Sequence, residues 1–303
     1  MITFVITGAS SFIGLELTQF LLAKGNYVYA VIRSHTDSFP NHPNLIVIYA
    51  DMSQYYKLDN FIHKADIFIN LAWAGTGHQE RNACDLQQRN VNYSLSALKI
   101  AKRIGCDVFV ESGSQAEYGS VLSPIDEETQ CKPFSEYGKA KLKLKNEAFK
   151  LSKEIGIKYM HLRIFSLYGE HDHPWTLVMS SLDKMRHNTP INLSSCEQKW
   201  NFLHVEDAAR QIYELCMYAL NNKQFEHEVY NIASEDTRTL KTFVLSMKQL
   251  INSESQLNFG VYKPEFLVSL DPDVSKVKAT INFIASHRFE DDIKNMYKKI
   301  MKI

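Results

Sequence analysis

Short, unbroken apolar runs alternate with helically spaced segments through the first half of the chain, and few folds accept that alternation. ITFVIT (residues 2–7) stops at the glycine-bearing turn GASS, as expected of a strand covered on both faces. FIGLELTQFLLAKG follows, with Ile13, Leu17, Phe20 and Leu21 at helical spacing and Gly25 placed as a cap. The alternation continues through strands YVYAVIR, NLIVIYA and ADIFINLAW, helix QRNVNYSLSALKIAKRIG, strand CDVFVES, a helix over about Glu136–Glu154 and strand KYMHLRIF. Repeated strand–helix–strand units need right-handed crossovers, so the strands are expected to be parallel with helices on both faces. After Tyr168 the rhythm breaks. GEHDHPW reads as a loop, INLSS and NFLHV as short extended pieces, and EDAARQIYELCMYAL as a helix. Asn252–Thr280, with Pro264 and Pro272, reads as loop before a last helix near Glu290–Met301. The expectation is an α/β fold, a doubly wound parallel sheet with a smaller, later domain.

Composition removes several classes of function. The 303 residues are enough for one large or two moderate cores, and 34 basic residues balance 34 acidic ones. That balance offers no electrostatic footprint for nucleic acid or an anionic membrane. The five cysteines (Cys84, Cys106, Cys131, Cys196, Cys216) include no C-x-x-C pair and read as reduced thiols. No basic region precedes the first apolar run, and no run approaches a membrane span. A cytoplasmic protein is expected.

The turn TGASSFIG joins the first strand to the first helix, where backbone amides and a helix N-terminus can hold a pyrophosphate. Gly8 permits the tight turn and Gly14 close helix packing, while Ser11 stands where the middle glycine of a dinucleotide fingerprint is usual. Asp51, in ADM after the third strand, is placed to meet an adenine, and NLAWAG (70–75) follows the fourth. The second strand ends VIRSHT, with Arg33 where NAD enzymes tend to carry an acid and no carboxylate until Asp37. Arginine suits a ribose 2′-phosphate, so NADP(H) is expected over NAD(H).

In PFSEYGKAKLKLKNEAF, Tyr137 and Lys141 are four residues apart and share a helix face. An ammonium beside a phenol favours tyrosinate, making tyrosine usable as a general acid or base near neutral pH. EHDH (170–173) carries no metal motif, since adjacent residues rarely converge on one ion, and no metal is expected. Its loop, with Trp175, and the loop AWAGTGHQER, with Trp73, Thr76 and His78, can border a ligand or be plain surface connectors.

Together the fingerprint turn, ADM, NLAWAG, NVNYS, SGSQAEYG, YGKAK, LRIFSLYG, WNFLHVEDAA and PDVSK resemble the extended short-chain dehydrogenase/reductase family, in its nucleotide-sugar epimerase, dehydratase and reductase branch. The likeness runs from Ile2 to about Lys276. It implies a Rossmann-type domain over 1–168, rejoined at about 201–232, and a substrate domain over 169–200 and 233–303. Ser114, Tyr137 and Lys141 are implied as the catalytic set: Ser114 bonding the substrate oxygen, Tyr137 exchanging its proton, Lys141 also holding the nicotinamide ribose. Cofactor contacts are implied for Gly8, Ser10, Ser11, Phe12, Ile13 and Gly14 in the turn, and for Arg33, Asp51 and Met52 beyond the next strands. Leu71, Ala72, Trp73, Ser112 and Ile164 complete that surface. Substrate contacts are implied for Thr76, Gln115, Ser166, Trp175 and Trp200.

Departures from the family pattern narrow the reaction. Family 4,6-dehydratases carry Asp-Glu after the catalytic hydroxyl, and this chain has Gln115 and Ala116, neither an acid or base at neutral pH. Ser166 replaces an asparagine, and Trp200 and Asn201 stand where relatives read R-D before a phenylalanine, which removes the usual arginine contact to the sugar-nucleotide phosphates unless Lys199 substitutes. The pattern is most similar to NDP-4-keto-6-deoxyhexose reductases of surface-polysaccharide pathways, the abequose-synthase type among them. An NADPH-dependent 4-ketoreductase is expected, with an NAD-dependent 4-epimerase and a silent NADP-binding regulatory protein as alternatives. The family likeness also implies a homodimer built on the Tyr137 helix.

Overall fold

A computed structural model describes residues 1–301 apart from positions 37, 78, 123 and 265. The sequence readings on Asp37 and His78 lie outside the described residues. Strands β1 (Thr3–Thr7), β2 (Tyr27–Ile32), β3 (Leu45–Tyr49), β4 (Ile67–Asn70), β5 (Val108–Ser114) and β6 (Lys158–Ile164) pair in parallel. Later in the chain come β7 (Ser166–Tyr168), β8 (Ile191–Asn192), β9 (Lys199–His204) and β10 (His227–Ile232). β10 joins the main sheet beside β6, giving the order β10-β6-β5-β4-β1-β2-β3. This is the doubly wound Rossmann order with one strand added.

The apolar runs become strands because helices cover both faces of the sheet. On one side pack α1 (Phe12–Ala23) and, from later in the chain, α5 (Val205–Asn221), closing a core that includes Phe4, Ile6, Leu17 and Ile212. On the other lie α2 (Cys84–Ile104) and α3 (Glu136–Ile155) over Phe68, Val91, Phe109 and Leu144. Phe109 is fully buried and stacks on Phe68 at 5.4 Å and Tyr159 at 6.3 Å. Truncating such a ring costs about 3–5 kcal/mol.

Beyond Tyr168 the chain holds more helix than its pattern suggests. α4 (Leu177–Arg186) and α6 (Leu240–Leu250) join α8 (Phe289–Met301) around Leu182, Phe202, Phe243, Phe289 and Ile293, a separate apolar core. α7 (Ser275–Ile281) interrupts the segment read as loop and packs Val277 against the first core. β9 pairs with β7 on one side and β11 (Thr237–Thr239) on the other, and β8 pairs with β12 (Leu257–Asn258). No helix among the described residues is long and apolar enough to cross a membrane.

Candidate active site

The C-terminal ends of the main strands form one edge, and the strand order reverses between β1 and β4. The crevice outside that reversal is where open α/β sheets take ligands. Gly8, with φ of 67°, ends the β1 turn, and a Cβ there would stand 2.8 Å from the Ala72 amide nitrogen. A Cβ on Gly14 would fall 2.3 Å from the Gly8 carbonyl oxygen. These two close approaches build a cradle from the turn, the start of α1 and the end of β4. It fits a dinucleotide pyrophosphate, which backbone amides and a helix N-terminus bind. Ser11 caps α1, its hydroxyl accepting the Gly14 N–H at 3.2 Å, at an ordinary φ of −72°. The missing glycine therefore leaves no strain.

The other residues expected at a cofactor are spread along the same edge. Ser10 is exposed, Phe12 and Ile13 half-buried, and Arg33 exposed just past β2. Leu71, Ala72 and Trp73 follow β4, Ser112 lies within β5, and Ile164 ends β6. Asp51 has a structural occupation: its carboxylate accepts the Ser53 N–H at 3.0 Å, and its own N–H donates to Gln54 at 2.9 Å. That capping box starts the 3-10 segment Met52–Asn60.

Ser114, Tyr137 and Lys141 converge. α3 begins at an N-cap serine, Ser135, whose hydroxyl accepts the Gly138 N–H at 3.1 Å. A Cβ on Gly138 would stand 2.4 Å from the Ala116 carbonyl oxygen, so glycine lets α3 lie against the 3-10 turn after Ser114. Ser114 and Tyr137 line the same cavity, and the Ser114 hydroxyl favours the ionised form of the Tyr137 phenol. Trp73 meets the Tyr137 ring edge-on at 6.0 Å. The Lys141 ammonium lies 3.7 Å from the Trp73 ring centroid and donates to the Ser112 carbonyl at 2.5 Å.

The electrostatics differ from the expectation drawn from spacing. Burial pushes the Tyr137 phenol up, against the Ser114 hydroxyl and the Arg81 cation, which pull it down. Lys141 is 6.0 Å from the Tyr137 ring centroid and is itself lowered to about 8, by burial, with Glu111 and Glu117 opposing. The helix face was legible; the lysine's reach across to Trp73 and Ser112 was not.

Beneath the triad lies a buried network that the sequence reading left unassigned. Glu117, fully buried, accepts the Ser114 N–H at 2.8 Å, His161 Nε2 at 2.9 Å and Arg163 Nε at 3.0 Å. Burial would raise its pKa, but His161, Arg163 and the Ser114 amide hold it down to about 2. Burial lowers His161 and keeps the Tyr159 phenol protonated. That phenol donates to Nδ1 at 3.0 Å, so the neutral ring carries its proton on Nε2 and Arg163 is the charged partner. Glu111, also fully buried, takes one bond from Asn70 at 2.8 Å, and its other oxygen has no partner. Burial raises Glu111 to about 7, against the pull of Lys141.

Two adjoining cavities open at this edge. The inner, of about 260 Å³, is lined by Ser114, Tyr137 and Lys141 together with Thr76, Gln115 and Ser166. The outer, of about 620 Å³, has walls of Phe134, Trp200, Tyr262 and Phe266, and Phe266 stacks on Phe134 at 4.3 Å. Arg81 and Gln115 line both. Trp175 lines neither; it is 71% exposed and stacks on His173 at 4.4 Å. Lys199 is exposed and lines neither, and Asn201 is buried, its amide bonded to Ser234 and Thr237 as a stitch between β9 and β11. Arg81 was missed because an arginine in a loop carries no pattern.

In the 170–173 loop, Asp172 accepts the His173 N–H at 2.7 Å. Elsewhere His204, Glu206 and His287 bring ligand-capable atoms within 4.8 Å of one another. His287 donates there to Asp292 at 2.9 Å and Glu206 at 3.2 Å, and the Asp292 bond raises it to about 9. Its ring also lies parallel to His204 at 3.8 Å. A clamped imidazolium in a parallel stack is poorly disposed to share a metal in the plane of both rings.

Known proteins share this architecture. The chain is 26% identical over 250 residues to dTDP-6-deoxy-L-talose 4-dehydrogenase (NAD(+)) of Aggregatibacter actinomycetemcomitans, covering 79% of this chain and 87% of that one. It is 24% identical over 271 residues to CDP-abequose synthase of Yersinia pseudotuberculosis, covering 88% and 91%. The solved structure of MoeE5 in complex with UDP-glucuronic acid and NAD superposes with a TM-score of 0.85 at 20% identity, covering 99% of both chains. The sequence profile of the NAD dependent epimerase/dehydratase family matches residues 4–233, from the first strand past the last strand of the main sheet, and the chain belongs to that family.

Proposed function

We propose that this protein is an NADPH-dependent reductase of the 4-keto group of a nucleotide-activated 4-keto-6-deoxysugar, serving surface-polysaccharide synthesis in the cytoplasm. One observation carries the reading. The inner cavity presents Ser114, Tyr137 and Lys141, and none of its described lining residues is a carboxylate. A dehydratase needs an acid and a base beside the hydroxyl, and Gln115 and Ala116 supply neither. The talose dehydrogenase and abequose synthase likenesses support the same class of substrate.

The nicotinamide, when bound, supplies the hydride. The chain's own residues do the rest. Tyr137 gives its phenolic proton to the carbonyl oxygen, leaving the substrate an alcohol. Ser114 donates a hydrogen bond to that oxygen and holds it against Tyr137. Lys141 carries the positive charge that favours the tyrosinate left behind and binds the nicotinamide ribose. Gly8, Ser10, Ser11, Phe12, Ile13 and Gly14 hold the pyrophosphate end, and Arg33 pairs with the 2′-phosphate. Trp73, Thr76, Gln115, Ser166 and Trp200 surround the sugar nucleotide, with residues 169–200 and 233–303 forming its domain. A homodimer through the Tyr137 helix completes the reading, and sedimentation as a monomer would remove that part.

The experiment is to incubate the purified protein with NADPH and then NADH, against a panel of NDP-4-keto-6-deoxyhexoses, following nicotinamide absorbance. Oxidation of NADPH with stoichiometric alcohol product supports the proposal. A tightly copurifying NAD, with sugar-nucleotide interconversion and no net oxidation, would instead establish the 4-epimerase. The NAD(+) in the talose dehydrogenase's name makes the NADH arm necessary.

A further inference from the structure

Arg81 sits where the two cavities meet. It belongs to a 3-10 turn, Glu80–Asn82, in the loop after β4. The buried Gln87 pins that loop, donating to the Gly75 and Glu80 carbonyls at 2.9 and 3.1 Å. Asn82 accepts the Glu136 N–H at 3.3 Å, tying the turn to the start of α3. The guanidinium carbon lies 4.5 Å from the Tyr137 ring centroid. No carboxylate among the described residues forms an ion pair with it. The other charged groups on these walls are engaged: Glu136 with Lys139 at 2.7 Å, and Lys141 with the Ser112 carbonyl. One uncommitted, bidentate-capable cation therefore separates a reaction chamber from a larger chamber walled by Phe134, Trp200, Tyr262 and Phe266.

We infer that Arg81 grips the diphosphate of the substrate, so that it selects nucleotide-activated sugars and fixes how deep the sugar enters. The inference rests on the nucleotide-sugar reading above. A sugar held at Tyr137 with its nucleoside among the outer aromatics must pass its diphosphate between the two chambers. A planar guanidinium matches paired phosphate oxygens in a way that Lys199, exposed and outside both walls, does not. The same diphosphate chemistry occurs in the cofactor, and the test separates the two sources.

Binding of UDP, CDP and dTDP to NADPH-saturated protein is measured by calorimetry for the unmodified chain, Arg81→Met and Arg81→Lys, beside NADPH binding to each. For whichever diphosphate binds, Arg81→Met should weaken affinity about 10- to 100-fold, and Arg81→Lys should recover part of it. NADPH affinity should change less than about 2-fold, which also reports that the variants are folded. Unaltered diphosphate binding by Arg81→Met would overturn the inference and leave the proposed function standing. An equal loss of NADPH affinity would assign Arg81 to the cofactor's pyrophosphate and overturn it too. An unmodified protein that binds NADPH and none of the three diphosphates would overturn both the inference and the nucleotide-sugar reading.

Discussion

Replacing Glu117 by glutamine should cost more stability than any exposed substitution, and the cost should depend on pH in a set direction. The carboxylate is fully buried and serves the Ser114 amide, His161 and Arg163. Its pKa is held at about 2 against an ordinary 4.5, which corresponds to about 3 kcal/mol of stability at neutral pH. Glutamine keeps the shape and loses the charge, leaving the Arg163 guanidinium, only 3% exposed, without its anion. Breaking a buried pair from one side costs about 3–5 kcal/mol, in agreement. The sign follows from the depressed pKa. The stabilisation is complete above the unfolded value of about 4.5 and is lost as pH falls towards about 2. The gap between the two proteins should therefore be widest at pH 7 and more than halved by about pH 3. Urea unfolding at several pH values, followed by both fluorescence and circular dichroism, measures it. A gap below about 1 kcal/mol at pH 7, or one that stays constant with pH, would refute the reasoning.

Other perturbations probe the reaction itself. Tyr137→Phe should bind NADPH as before and lose turnover by about 100- to 10,000-fold, since only the proton donor is removed; single-turnover hydride transfer reads this, and near-normal turnover would place the proton source elsewhere. Lys141→Met should lower cofactor affinity and rate together, because the ammonium is assigned to both ribose and tyrosinate. Arg33→Asp should narrow or invert the preference for NADPH over NADH, and equal kcat/KM for both cofactors in the unmodified protein would dismiss that role. Glu111→Gln removes the carboxylate that most supports the Lys141 charge, so the lysine pKa should drop below about 8. The rate supported by protonated Lys141 is present below that pKa, so the alkaline limb of the kcat–pH profile should move to lower pH. An unmoved limb would separate Glu111 from Lys141.

Local pattern was sufficient for much of this molecule. A strand buried on both faces must be apolar throughout, so β1, β4 and β5 were legible as runs, and their spacing by helical segments implied a parallel sheet. Gly8 and Gly14 were readable because the reasons for them, a tight turn and a close helix, act within one strand–helix connection. Tyr137 and Lys141 were readable as neighbours because four residues make about one helical turn. Those signals are short-range. α4 and α6 escaped notice because their apolar faces close a core assembled from β9 and α8, far along the chain. Trp175 had the right chemistry in the right loop, yet its ring turned outward onto His173. The network under Ser114 was the least legible part. Glu117 and Arg163 stand 46 positions apart and meet only because β5 and β6 pair with Gly113 opposite Arg163 and Glu111 opposite His161. Register is a property of the assembled sheet, and so is burial, which pushed Glu111 and Lys141 towards neutral pH where isolated residues would titrate far from it. The residue types were fixed by the chain; which of them share a proton, a charge or a cavity was decided when the strands came into register.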